Sequence, residues 1–281
     1  MHVINRLFGT EPVPLHAAGP LNLSPLWSQI EDAVFASDLP GRPGARDDYT
    51  FFTWNSGTGR SHDKAKKLGT AERCLRRLEV PHEVLGHGMN PWTNILKINT
   101  LRDGLRRVAT PYVIACDSPD VLILGDPGRC VDLFEQFDAD VVYIGDSSFW
   151  PPEFEDLRLQ EELIAGARQT RFPYLNAGAL IGRTPFCRDL FQEAAAQAER
   201  QIGIPRTPGT SGAGTSDDDQ SIMKRLYLAH HPRVQLDFRC QMFQPLTYQD
   251  QDVLQLVKDR SKSRWRRALP GEPPLRRPTP R

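Results

Sequence analysis

Apolar and polar positions along the chain follow two alternating rhythms. YTFFTW (49–54) is a short run of aromatic and β-branched residues, which predicts a buried strand, and YVIAC (112–116), ADVVYIG (139–145) and YLNAGALIGR (174–183) read the same way. HEVLG (82–86), VQLDF and CQMFQP predict shorter strands. Between them the period lengthens. In NILKINTLRDGLRRV (94–108), Ile95, Ile98, Leu101, Leu105 and Val108 fall on one face of an amphipathic helix. AERCLRRLE (71–79), 128–137 behind Pro127, 155–167, PFCRDLFQEAAAQAERQ (185–201) and 217–228 predict further helices. Residues 1–47 are rich in Pro, Gly and loop formers, with one helix predicted over Ser24–Phe35, and 203–216 reads as a Gly/Pro/Ser/Thr loop. The chain has no internal repeat.

Strands alternating with helices predict an α/β fold, a mixed, mostly parallel Rossmann-type sheet with helices on both faces. Such sheets bind ligands beyond the carboxyl ends of their strands. Asp117 and Asp120, directly after YVIAC, fall at such an end.

Composition narrows the class. At 281 residues, with 39% apolar and 25% charged, the chain is of ordinary globular make-up. No apolar run approaches the ~20 residues of a membrane span, and the N-terminus has no continuous apolar stretch of the secretory kind, so neither feature is expected. The five cysteines are scattered and form no CxxC pair, which predicts reduced thiols and a cytoplasmic protein. Net charge is zero, but 258–281 holds nine Lys/Arg against Asp259 and Glu272, net +7, leaving −7 on the rest. This Pro-rich basic tail is either a solvated arm or an element drawn to an acidic partner or a phosphate. The expected organisation is an N-terminal extension (1–47), a single α/β domain (48–257) and the tail (258–281). Nucleic acid is not an expected partner.

Two carboxylates three residues apart repel unless a cation lies between them. A hard divalent ion does this, and a nucleotide diphosphate brings the remaining oxygens. The alternative is a strand cap followed by a turn aspartate bonded to local amides. A phosphatase of the haloacid dehalogenase type would need an aspartate where Pro119 stands. Phosphate-binding glycine motifs and GxSxG are absent; GTGRSH (57–62) does not fit GxGxxG. A second acidic cluster, TSDDDQS (215–221), opens a helix after the loop. Its three aspartates are ~100° apart, so they either cap the helix or include one facing the ligand edge.

DSPDV (117–121), SSFWP (147–151), YLNAGALIG (174–182), DDDQ (217–220) and LDFRCQMFQ (236–244) resemble, in order, motifs of the glycosyltransferase domain of procollagen lysyl hydroxylases, over about 70% of the chain. The resemblance implies a GT-A fold, a UDP-sugar donor and Mn or Mg. It implies that Asp117 and Asp120 bind the metal, that Thr53, Trp54 and Asn55 line the nucleotide pocket, and that Lys97 lies near the donor phosphates. It further implies an active-site Trp150, Asn176 and Gly178 beside the sugar, and Asp218 and Asp219 holding sugar or acceptor hydroxyls. The family's third metal ligand comes from a C-terminal HGNGP; here no histidine follows His231, which leaves that position to water or to another residue, or the ion more weakly held. Pro119 and Phe238 replace a family tyrosine and histidine. The expectation is a metal-assisted, retaining transferase that moves a sugar from a UDP-sugar to a hydroxyl or amine of a small molecule, lipid or carrier-bound intermediate. The alternatives are a non-catalytic nucleotide-sugar or partner-binding protein and a nucleotide-sugar hydrolase.

Overall fold

The structure, a computed structural model, describes residues 2–37, 46–57, 68–166, 170–201, 218–248 and 250–257. The 203–216 loop, Asp217, most of GTGRSH and the basic tail lie outside the described residues.

The central sheet has six strands: β3 (Tyr49–Trp54), β4 (Glu83–Leu85), β5 (Tyr112–Asp117), β7 (Val141–Asp146), β8 (Tyr174–Arg183) and β9 (Val234–Asp237), in the order β4-β3-β5-β8-β7-β9. β3 pairs in parallel with β4 and β5, and β7 with β9. β8 alone runs antiparallel, between β5 and β7. The sheet is therefore mixed and mostly parallel, as the alternation of elements predicts. The amino end of β8 consequently meets the carboxyl ends of its neighbours: Ile144 opposes Asn176 and Asp146 opposes Tyr174.

Alternate strand residues face two cores, as the two-residue period of a strand requires. Phe51, Ile114, Cys116, Val142 and Ile181 pack on one face with α1 (Pro25–Ala36), α2 (Thr70–Arg77) and α4 (Gly128–Phe134). Phe52, Val113, Val141, Tyr143 and Leu180 pack on the other with α3 (Leu96–Leu105), α6 (Thr184–Gln201) and α7 (Asp219–His230). Helix α5 (Glu155–Gly166) sends Ala165 to this second core. All five cysteines are buried and free. No described helix is long and apolar enough to cross a membrane.

The first 37 residues contain more regular structure than their Pro/Gly content predicts. The α1 helix is where its pattern puts it, with Pro25 in the first turn and Ser24 Oγ accepting from Trp27 N at 3.2 Å. Two strands precede it. β1 (His2–Asn5) pairs antiparallel with β11 (Leu254–Val257). β2 (Pro14–Ala17) lies between β6 (Val121–Ile123), antiparallel, and β10 (Gln244–Leu246), parallel. Val13, Leu15 and Ala17 enter the first core beside Val121 and Ile123. These strands are short, and their apolar residues are interrupted by prolines, so no period registers in the sequence.

Candidate active site

Asp117 is the last residue of β5, opposite Trp54 at the end of β3. The turn behind it is pinned from several sides. Ser118 N donates to Trp54 O at 3.2 Å, Ser118 Oγ donates to Glu72 at 2.8 Å, and Ala71 N donates to Ser118 O at 2.9 Å. Asp120 follows, and β6 begins at once. Because β6 pairs with β2, His16 stands opposite Val121, and Ala17 N donates to Asp120 O at 2.9 Å.

His16, Asp117 and Asp120 thereby offer ligand atoms that all lie within 4.8 Å of one another. His16 Nε2 is 3.7 Å from Asp120 Oδ1, too long for a hydrogen bond, while Asn22 Nδ2 holds the other oxygen, Oδ2, at 3.0 Å. His16 Nδ1 and Asp120 Oδ1 are buried and hydrogen-bond to nothing among the described residues. Orphaned buried polar atoms are uncommon in folded proteins and call for an explanation. One imidazole and two carboxylates suit a divalent ion that accepts mixed N/O ligands.

Electrostatics tie the cluster together. Burial pushes the Asp117 carboxyl up, against the pull of Lys97. Desolvation acts on the half-buried Asp120 as well, but His16 and the Asn22 amide hold it below the usual carboxylate range. Burial alone would push His16 down; Asp120, with help from Asp117 and Asp146, outweighs that and raises it.

Lys97 reaches in from α3. Its Nζ lies 2.7 and 2.9 Å from the two Asp117 oxygens, 3.7 Å from Asp219 and 5.7 Å from the Trp54 ring centre. The two described aspartates of DDDQ divide their work. Asp218 is the N-cap of α7 and accepts from Gln220 N at 3.3 Å and Ser221 N at 2.9 Å. Asp219 turns inward and is 4% exposed; burial foremost, then Asp218 and Asp117, push its carboxyl up to about 7 despite Lys97. The sequence left capping and ligand-facing readings open for this cluster; Asp218 caps α7, and Asp219 points inward toward Lys97.

The opposite wall is built by β7 and β8. Asp146 ends β7 buried, and burial raises its carboxyl. It accepts from Asn176 Nδ2 at 2.7 Å and Ser148 N at 2.9 Å. Asn176 Oδ1 accepts from Gly178 N at 2.8 Å. Trp150 is 42% exposed, and its backbone carbonyl accepts from Gln220 Nε2 at 3.0 Å. Thr53, Trp54 and Asn55 are all buried, and both ends of the Asn55 amide are used, donating to Glu72 and accepting from Gly57 N.

The fold thus brings Lys97, Asp117, Asp120 and Asp219 together and sets Asn176 and Gly178 nearby through Asp146 and His16. His16 and Asp146 escaped the sequence reading. Asp146 ends an apolar strand just as Asp117 does, so the same rule applied to GDSSFWP would find it. For His16 the signal is fainter: a lone polar residue between Leu15 and Ala17.

No protein-family model matches the chain. It is 26% identical over 186 residues to mouse procollagen-lysine,2-oxoglutarate 5-dioxygenase 2, a stretch covering 64% of this chain and 22% of that protein. It is 25% identical over 195 residues to the human protein of the same name, covering 66% and 23%. The matched stretch thus spans under a quarter of the length of these relatives. The similarity is distant, and it is to the family that the five motifs resemble.

Proposed function

We propose that this chain is a metal-assisted glycosyltransferase that moves a sugar from a UDP-sugar, with retention, to a hydroxyl or amine of a small-molecule, lipid or carrier-bound acceptor. The observation that supports this most is the His16–Asp117–Asp120 cluster at the carboxyl edge of the sheet, where the buried Asp120 Oδ1 has no hydrogen-bond partner among the described residues. A bound Mn or Mg ion would supply charge neutralisation for the departing diphosphate. Asp117, Asp120 and His16 would hold it, with His16 taking the place of the C-terminal histidine.

The chain's own groups account for the rest. Lys97, half-buried and pulled firmly into its charged form by Asp117 and Asp219, provides a fixed positive charge where the diphosphate would lie. Thr53, Trp54 and Asn55 form the nucleoside side of the pocket. Asn176, oriented by Asp146, presents its amide edge to the sugar. Asp219, with its carboxyl near 7, can exchange a proton with a sugar or acceptor hydroxyl at neutral pH. Asp218 sets the start of α7 and so the position of Asp219. Trp150 offers a half-exposed ring for acceptor or sugar to stack against. Five buried reduced thiols fit a reducing compartment, and we include a cytoplasmic location in the proposal.

The test is calorimetric titration of UDP with and without Mn or Mg, followed by mass spectrometry of UDP-sugars incubated with candidate acceptors. Metal-dependent UDP binding and a glycosylated acceptor are expected. Free sugar released at the same rate whether or not acceptor is present would identify a hydrolase, and binding without turnover of any donor a non-catalytic protein.

A further inference from the structure

We infer that Gly178 is a positioning residue for the metal centre: its missing side chain is the seat of the His16 imidazole. This rests on the metal reading above and adds a residue that touches neither metal nor carboxylate.

A Cβ placed on Gly178 would stand 2.4 Å from His16 Cε1 and 2.9 Å from His16 Nδ1. Real side chains do not approach so closely, so one partner must move. Neither backbone has room to do so. Gly178 lies where β8 bulges: Ile144 opposes Asn176, while the preceding residue, Tyr143, already opposes Leu180. The bulged peptide is tied on its own strand, with Gly178 N donating to Asn176 Oδ1 and Asn176 donating in turn to Asp146. The same Cβ would lie 2.9 Å from Asn176 Oδ1, which closes retreat in that direction. Across from it, β2 is hydrogen-bonded on both edges, to β6 and to β10, which fixes the His16 backbone. The remaining freedom is rotation of the imidazole, and rotation carries Nε2 out of its place beside Asp120.

The bulge in β8 therefore serves two sides of the site at once. Asn176 presents its amide on one side, and two residues later the chain clears the space that lets a histidine from the N-terminal strand reach the two aspartates. Metal affinity should depend on the residue at 178 even though that residue has no ligand atom to offer. Outer residues that orient a ligand typically alter metal affinity ~10–100-fold.

The full chain is titrated with MnCl2 alone and free Mn is read by electron paramagnetic resonance, alongside thermal unfolding in EDTA. His16→Ala and Gly178→Ala should each weaken Mn binding by about tenfold or more. In the double variant His16→Ala/Gly178→Ala the clash with the imidazole is gone and only the 2.9 Å approach to the Asn176 amide oxygen remains, which a small shift of that side-chain end relieves, so Mn affinity should match His16→Ala alone. Should Gly178→Ala fail to fold, the double variant should recover a cooperative transition, and failure to recover it would overturn the assignment. Wild-type Mn affinity in Gly178→Ala, with His16→Ala weakened, sinks the role of Gly178 and leaves the metal centre standing. Unchanged affinity in His16→Ala sinks the metal reading itself.

Discussion

Asp219 should make the protein less stable as pH rises toward neutrality, and Asp219→Asn should remove that cost. In the fold its carboxyl is held near 7, mainly by burial; in the unfolded chain it titrates near ~3.9. Well below pH 4 both states are protonated and the residue contributes nothing. Between about pH 4 and 7 the unfolded chain releases the proton while the folded chain keeps it, so unfolding is increasingly favoured as pH climbs. Above 7 both states are ionised and the cost levels off. A gap of roughly three pH units at ~1.36 kcal/mol each sets the full cost at about 4 kcal/mol. From pH 5 to 7.5 the cost grows by about 2.5 kcal/mol on the same arithmetic. With a urea slope near ~3 kcal/mol per molar, Asp219→Asn should gain about 0.8 M in midpoint on the wild type across that interval. The assay is urea unfolding of both proteins in EDTA at pH 5, 6, 6.8 and 7.5, followed by circular dichroism. Midpoints that run parallel across the series would refute the reasoning, because loss of the Asp219 titration is the main pH-dependent difference between the two proteins.

Other consequences are more direct. Asp117→Ala and Asp120→Ala should abolish the effect of Mn on UDP binding while leaving the far-ultraviolet spectrum unchanged; a preserved Mn response in both variants would exclude the pair as ligands. Lys224 and Glu161 form a fully buried ion pair at 2.7 Å, so Lys224→Met should cost about 3–5 kcal/mol and Lys224→Met/Glu161→Gln much less, as measured by urea unfolding. Ser24→Ala removes the cap of α1 and should cost about 1 kcal/mol in the same assay.

Periodic elements were legible because burial leaves a rhythm in the sequence. The β3, β5 and α3 patterns each place apolar residues on faces that the structure does bury, and the aspartates beyond YVIAC stand at a strand end for the same reason. What was not legible depended on pairing between distant segments. The reversal of β8 leaves no mark, since a strand alternates identically in either direction. His16 lies roughly a hundred residues before Asp117, and only the β2–β6 ladder brings it across. Likewise Gly178 reads as one small residue among several in LNAGALIG until the imidazole is seen against it. Asp218 and Asp219 are neighbours with nearly identical sequence context, and their different roles follow from which one turns inward at the start of α7.

Reversal of a single strand also separates two kinds of evolutionary freedom. The peptide entering β8, not the peptide leaving it, borders the candidate site. Residues inserted ahead of Tyr174 would land on the side of the candidate site, where the Tyr174 ring already packs edge-on against Phe149. Residues inserted after Arg183 would land at the far edge of the sheet, where α6 begins at Thr184. An engineer reshaping the candidate site would diversify the upstream end of this strand and leave the downstream end alone, and length variation that alters the site should fall at the first position rather than the second.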